Sequence, residues 1–189
     1  MILLISANFP PEPVVAASLS KDLAETLAVN RIVRVITPKP SRPLGFSFKK
    51  VTYFSKEFEH VVLDSYTYSK SRIAGRLLES YSFGKHAADH INKNHDIIHC
   101  CYVSAWPLFA QYIIIKALKR YSIPSVVHIQ DIYPESLSNK FPGLGKLLKI
   151  ILLPMDKYIL RNSTRVVAIS KNMCNTFIHT RGVSREKIE

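Results

Sequence analysis

The chain has 189 residues, of which 47% are hydrophobic and 21% are charged. This composition excludes a disordered chain, which has low hydrophobicity, and the length suits about one domain with its own core. Lys and Arg outnumber Asp and Glu by 26 to 14, and the net charge of +12 indicates an anionic partner, such as a phosphorylated ligand or a membrane surface. Because the basic residues are dispersed and no nucleic-acid-binding motif accompanies them, we expect no nucleic acid partner.

Neither a disulfide framework nor a membrane span is expected. The three cysteines, of which Cys100 and Cys101 are adjacent, are typical of a reducing compartment. The apolar start, MILLISANFPP, has no basic residue before it and no cleavage site after it, so it predicts a buried strand rather than a signal peptide. The longest apolar runs fall far short of the roughly 20 residues that a membrane span needs.

The first 40 residues predict a β-α-β unit. A short apolar strand at 2–7 ends in a proline-rich turn, and apolar residues then recur at helical spacing over 16–27. The β-branched run at 32–37 predicts the second strand. Two strands joined by a helix over this length are typical of a parallel crossover.

Strands and helices alternate along the rest of the chain. After a loop at 39–50, we predict strands at 61–63, 96–101, 124–130 and 165–169, helices at 71–92, 106–121 and 143–160, and a final helix from Ser170 to about Gly182. Ser104 and Pro107 suit the start of the helix at 106–121, Pro154 interrupts the next one, and residues 182–189 add no core. The strands are continuous apolar runs, which predicts an α/β, Rossmann-like, mostly parallel sheet with helices on both faces.

Ligands of such sheets bind beyond the carboxyl ends of the strands, so the loops after the strands are the candidate sites. In the first loop, Phe9-Pro10-Pro11-Glu12-Pro13, the prolines make a rigid turn and Glu12 lies near a helix N-terminus. This loop is either part of a site or only a stiff connection, and the residues alone leave both open. It contains no GxGxxG, so a dinucleotide site has no support.

A second candidate follows the strand at 124–130. Asp131 and Glu135 are two carboxylates four residues apart in a loop, where such groups orient a sugar hydroxyl or act as a base. The alternative is that Asp131 caps a turn and Glu135 begins the next helical turn. Spacing alone favours this alternative.

Other motifs point away from metal and hydrolase chemistry. His99, Cys100 and Cys101 are strand neighbours that point to opposite faces, and no HExxH, CxxC or GxSxG occurs, so we expect no metal and no hydrolase nucleophile. The helix at 146–160 combines lysines with many apolar residues. It either lies on an anionic membrane surface or packs in the core with a solvated basic face.

An ordered set of motifs carries a family resemblance. The segments are FPPEP at 9–13, RVITPKPSRPLGF at 34–46, RLLESYSF at 76–83, DIIH at 96–99, SVVHIQDIYPES at 125–136 and YILRNSTRVVAISKNM at 158–173. Together they resemble the N-terminal, acceptor-side lobe of retaining GT-B glycosyltransferases of the group 1 or family 4 type. The most similar group builds bacterial capsule, O-antigen or colanic-acid units, and DIYPES is the most specific match, to the pattern D-[LIV]-[WY]-P-E-S.

The resemblance implies one Rossmann-like domain over residues 1–189, with the C-terminal donor-binding domain absent from the chain, so that the chain alone has little or no activity. It implies transfer of a sugar from a nucleotide-sugar donor, with retention and without a metal or other cofactor. The implied acceptor is a polyprenyl-linked saccharide used in surface polysaccharide or lipopolysaccharide biosynthesis. Such acceptors lie at the cytoplasmic face of the cell membrane, which suits the charge of +12 and predicts a peripheral protein there.

The resemblance also implies functional residues. Asp131 and Glu135 are the expected catalytic residues, and the expected substrate-binding residues are Pro11, Glu12, Val14, Tyr102 and Ser170. The loop at 10–14 is expected to face the donor diphosphate, but Val14-Val15 replaces the Gly-Gly pair of many relatives, which puts that contact in doubt. The alternative function is a non-enzymatic Rossmann-like module that docks a partner subunit or an anionic membrane.

Overall fold

The computed structural model describes residues 1–43, 46, 48, 57–68, 73–104, 108–135 and 145–189. These residues form a six-stranded parallel sheet in the order β3-β2-β1-β4-β5-β6. The strands are β1 (Ile2–Ser6), β2 (Val33–Pro38), β3 (Glu59–Leu63), β4 (Cys100–Ser104), β5 (Ser125–Ile129) and β6 (Arg165–Ala168). The strand order reverses direction between β1 and β4, which makes this the switch point of a doubly wound sheet.

The described helices cover the two faces of the sheet unequally. They are α1 (Val15–Ala28), α2 (Ile73–Asn94), α3 (Leu108–Arg120), α4 (Gly145–Asn162) and α5 (Lys171–Thr176). The larger core packs α2, α3 and α4 on one face, while α1 packs on the other face over β1 and β2. The structure thus confirms the predicted α/β class with helices on both faces.

The packing of α2 on α3 depends on a glycine. A Cβ atom at Gly84 would lie 2.7 Å from the Cα atom of Ala110, which is closer than such atoms approach in proteins. One turn earlier on α2, the Ser80 hydroxyl accepts a hydrogen bond of 3.0 Å from the Ala110 backbone N–H. The two helices therefore touch backbone to backbone at this point.

Two predicted elements differ from the structure. The strand predicted at 96–101 begins only at Cys100, because Ile2 of β1 sets the register there and residues His95–Ile97 form a 3-10 turn. The helix α4 runs through Pro154 without interruption. The Pro154 nitrogen has no hydrogen to donate, so the Ile150 carbonyl one turn earlier lacks its helical hydrogen bond. Ile150 is 71% exposed, so water can hydrogen-bond to this carbonyl instead. Ser104 is the last residue of β4, and Pro107 lies outside the described residues.

The end of the chain adds core that the sequence did not predict. A π-helical turn, Phe177–Arg181, follows α5 and ends at Gly182, whose φ of 67° is the left-handed conformation that glycine adopts readily. Val183 is buried in the larger core. Ile188 then pairs in parallel with Val166, so the last residues lie along the edge of β6.

Candidate functional site

The candidate residues meet at one edge of the sheet. Because β1, β4 and β5 are parallel neighbours, their carboxyl ends share a rim, and β1 and β5 lie about 10 Å apart, twice the spacing of adjacent strands. The loops that begin after β1, β5 and β6 all start on this rim. It therefore carries the predicted site residues Pro11, Glu12, Val14, Asp131 and Ser170.

Glu12 is a buried carboxylate that braces the first loop. Its side chain is buried, and one oxygen accepts a hydrogen bond of 2.7 Å from the Asn8 side-chain amide. The other oxygen accepts from the backbone N–H groups of Ser41 at 2.6 Å and Arg42 at 2.9 Å. Burial raises the pKa of Glu12, and these hydrogen bonds oppose the rise. The residue thus joins the loop after β1 to the segment after β2.

Pro11 and Val14 lie on either side of this brace. Pro11 lines a small pocket of about 30 Å³ together with Phe9 and His60. Val14 is the N-cap residue of α1 with an extended backbone, and among the described residues no side chain caps this helix. The α1 N-terminus therefore points uncapped N–H groups and positive potential towards the rim.

Asp131 is the exposed carboxylate of the rim. It is the second residue after β5 and directly follows Gln130. Within the described chain, no hydrogen bond or ion pair engages its oxygens. Its charge, together with burial as the larger cause, raises the pKa of the neighbouring Tyr133 to about 12. Asp131 is therefore free to meet a ligand.

Glu135, in contrast, is held in an ion cluster. One of its oxygens accepts a hydrogen bond of 2.6 Å from Arg181, whose side chain is only 2% exposed. The same guanidinium donates to the Tyr133 carbonyl at 2.7 Å and to the Asp156 carboxylate at 2.7 Å. Arg181 thus ties the loop that carries Asp131 to α4 and to the π-helical turn.

The protonation of this cluster follows from its burial. Burial raises the pKa of Asp156 to about 6, against the opposing effect of Arg181. Burial disfavours the charged guanidinium, but the hydrogen bonds that it donates to Glu135 and Asp156 outweigh this effect and raise the pKa of Arg181. At neutral pH Asp156 and Arg181 are therefore both ionised.

The two other predicted residues lie apart from Asp131. Ser170 is the N-cap of α5, where its hydroxyl accepts a hydrogen bond of 3.2 Å from the Met173 backbone N–H. Tyr102 lies on β4, on the side of the sheet that faces α1, and lines a pocket of about 200 Å³ there. Burial raises the pKa of its phenol.

Sequence reasoning did not single out Arg181, Asp156, His128 or Gln130. No local spacing marks these residues, since Arg181 and Asp156 are 25 positions apart and meet only through the fold. In the described part of the chain, no group of three His, Cys, Asp or Glu side chains is arranged to hold a metal ion. Within the same ranges, no helix is long and apolar enough to cross a membrane.

The doubly wound sheet, with polar residues along its strand ends, defines the class as a Rossmann-like α/β domain. Residues 16–189 match the model of Glycosyltransferase Family 4, and the chain belongs to this family. A comparison with curated proteins gave no significant match.

Solved glycosyltransferase structures share the fold. The Anabaena protein Alr3699/HepE, solved in complex with UDP, is 16% identical with a TM-score of 0.56, over 100% of this chain and 42% of that one. A sucrose-phosphate synthase chain from Thermosynechococcus elongatus is 10% identical with a TM-score of 0.63, over 100% of this chain and 87% of that one. A UGT transferase from Siraitia grosvenorii, also solved in complex with UDP, is 11% identical with a TM-score of 0.54, over 98% of this chain and 46% of that one. The chain thus spans less than half of the HepE and UGT chains.

Proposed function

We propose that the chain is the acceptor-side domain of a retaining glycosyltransferase, which transfers a sugar from a nucleotide-sugar donor to a lipid-linked saccharide. The observation that carries this proposal is an exposed Asp131, which no described residue engages, on the strand-end rim of a Glycosyltransferase Family 4 fold. Residues 1–189 form the single domain of this proposal, and a C-terminal domain supplies most of the donor site.

The donor side of the proposal rests on the relatives and on α1. HepE has been solved with UDP and glucose, which supports a nucleotide-sugar donor. The uncapped N-terminus of α1 offers N–H groups and positive potential to a diphosphate, even though Val14 and Val15 replace a glycine pair. No metal or other cofactor is part of the proposed reaction.

The two carboxylates have different roles in this proposal. Asp131 orients the acceptor hydroxyl or takes its proton, because its carboxylate is exposed and unengaged within the described chain. Glu135 remains a predicted catalytic-site residue. Since its carboxylate accepts from the buried Arg181, it acts by holding the loop at 131–135 in place.

The acceptor and its location complete the proposal. A polyprenyl-linked saccharide for capsule, O-antigen or lipopolysaccharide synthesis lies at the cytoplasmic face of the membrane. The net charge of +12 supports a peripheral position there. The first turns of α4 support it too, because Leu147, Ile150 and Ile151 are at least half exposed and Lys149 lies exposed among them.

The test compares the 189-residue chain alone with the chain extended by a C-terminal donor-binding domain. Each is assayed for transfer of label from UDP- and GDP-sugars to polyprenyl diphosphate saccharides. We expect transfer only from the extended form, and with retained anomeric configuration by NMR of the product. Inverted product would contradict the retaining mechanism, and an extended form without transfer to any acceptor would contradict the enzymatic proposal.

The exposed apolar turns of α4 also favour a second candidate, a non-enzymatic module that docks on an anionic membrane. Sedimentation with phosphatidylglycerol vesicles tests it. If the chain binds these vesicles but the extended protein transfers no sugar, the docking function is the better account. If transfer occurs, membrane binding is part of the enzyme's function.

A further inference from the structure

A pocket of about 200 Å³ lies beside α1, on the less covered face of the sheet. Its lining includes Ala16, Leu19 and Leu23 of α1, Tyr102 of β4, His128 of β5, and Gln130 just after β5, together with the hydroxyls of Ser20 and Ser104. Gln130 lines the pocket and directly precedes Asp131 in the chain, so the pocket opens at the rim that carries Asp131. None of the described residues that line it is charged.

Strand register brings three of the polar side chains together. Tyr102 pairs with Val126, and side chains two positions apart on a strand share a face, so His128 and Gln130 lie on the same side as Tyr102. The rings of Tyr102 and His128 are 6.3 Å apart at an angle of 66°. They form an aromatic floor opposite the leucines of α1.

These polar groups are neutral and have no hydrogen-bond partner in the described chain. Burial raises the pKa of Tyr102 and lowers the pKa of His128. His60, another half-buried histidine, is hydrogen-bonded to the Thr37 hydroxyl at 2.9 Å, whereas within the described residues no hydrogen bond engages the ring nitrogens of His128. Three half-buried polar side chains that face an apolar wall are suited to a ligand with hydroxyls and an apolar face.

We propose that this pocket binds one pyranose ring of an uncharged saccharide. The size fits, because an engineered cavity of about 150 Å³ in another protein accepts a six-membered ring. The C–H face of the sugar packs on Leu19 and Tyr102, and its hydroxyls bond to Tyr102, His128 and Gln130. The lack of lysine or arginine among the described lining residues disfavours a phosphate. Resting on the proposed function, the ring belongs to the acceptor, held from the same strand-end rim that carries Asp131.

The test measures binding of methyl hexopyranosides to the 189-residue chain by NMR chemical shifts and saturation transfer. We expect at least one of the gluco, galacto and manno forms to bind with a Kd of about 1 mM and to shift resonances of Tyr102 and His128. Tyr102→Phe and His128→Phe should each weaken binding about tenfold, since each keeps an aromatic ring and removes one neutral hydrogen bond. Tyr112→Phe is the matched control, because its ring packs on Tyr158 among the helices of the other face.

Folding and binding are separated by a further variant. Leu19 is 55% exposed, so Leu19→Glu blocks the apolar wall with little effect on the fold, and it should abolish binding. The proposal is overturned if no saccharide shifts pocket resonances up to about 10 mM, tenfold above the expected Kd, or if Tyr112→Phe weakens binding as much as Tyr102→Phe. An occupant from the protein itself, such as a peptide segment that fills the pocket, would give the same negative result.

Failure here differs from failure of the proposed function. If the sugar binds but the extended protein transfers nothing, the pocket stands and the enzymatic proposal falls. If transfer occurs and Tyr102→Phe leaves the KM for the acceptor unchanged, the transferase stands and the pocket falls.

Discussion

Replacing Arg181 with methionine tests whether a buried ion cluster holds the loop that carries Asp131. The guanidinium is 2% exposed and Asp156, its closest buried partner, is 3% exposed at the side chain. Methionine is an unbranched, uncharged side chain that replaces the aliphatic part of arginine without its guanidinium. The substitution therefore leaves Asp156 buried without its partner and releases Glu135 and the Tyr133 carbonyl.

The magnitude follows from burial. Removing one partner of a buried ion pair costs about 3–5 kcal/mol, most of it from the charge left behind. The Glu135 side chain is 43% exposed, so the loss of its ion pair with Arg181 contributes less than about 1 kcal/mol to this cost. A loss of about 4 kcal/mol lowers the folding equilibrium constant about a thousandfold. It lowers the Tm by roughly 8–16 °C in a domain of this size.

Urea denaturation followed by circular dichroism measures the effect. Adding Asp156→Asn to Arg181→Met should recover about 2 kcal/mol, because no buried charge is then left alone. The control is Glu25→Gln, which breaks the half-exposed pair of Lys21 and Glu25, 2.9 Å apart, and should cost under about 1 kcal/mol. The reasoning is refuted if Arg181→Met costs no more than Glu25→Gln, or if the double substitution is less stable than Arg181→Met alone.

Three further predictions concern packing, capping and pH. Gly84→Leu should lower the free energy of unfolding by about 1–3 kcal/mol, measured by thermal or urea denaturation, because the leucine side chain would force α2 away from Ala110. Lys85→Leu is the control and should be nearly neutral, because Lys85 is exposed. Ser170→Ala should lower the free energy of unfolding by about 1 kcal/mol, because alanine cannot cap the N-terminus of α5. Ser170→Asp keeps a side-chain cap and should lower it much less. Equal losses in urea denaturation would contradict the capping role. Burial lowers the pKa of His128 below 6.5, so the folded state resists protonation and stability is lost as pH falls below 6.5. The free energy of unfolding should therefore fall less in His128→Gln than in the wild type between about pH 7.5 and 5.5, and equal falls would contradict this.

The parallel sheet was predictable because its signals are local. The apolar runs near 2–7 and 32–37, with amphipathic spacing between them, directly predict β1, α1 and β2, and the structure confirms all three. The start of β4 was not predictable in this way. Ile97 and Ile98 are as apolar as a strand requires, but pairing with β1 selects Cys100 as the first strand residue.

The rim itself was also predictable, since parallel strands bring their ends together. The partners of the rim residues were not. Glu12 meets the backbone of Ser41 and Arg42 about 30 positions away, and Glu135 meets Arg181, 46 positions away. Spacing made Asp131 and Glu135 look like an equivalent pair, whereas the fold leaves one exposed and engages the other. Such long-range pairs leave no periodicity in the sequence.

The rate of sugar transfer by the extended protein carrying Asp131→Asn tests the central claim most directly. The substitution keeps the size of the side chain and removes its charge and basicity. We expect the rate to fall about 10²–10⁴-fold, the range for loss of a positioned acid or base. Asp96→Asn, an exposed aspartate at the opposite edge of the sheet, should leave the rate unchanged. An Asp131→Asn enzyme as fast as the wild type would show that the chemistry lies away from this rim.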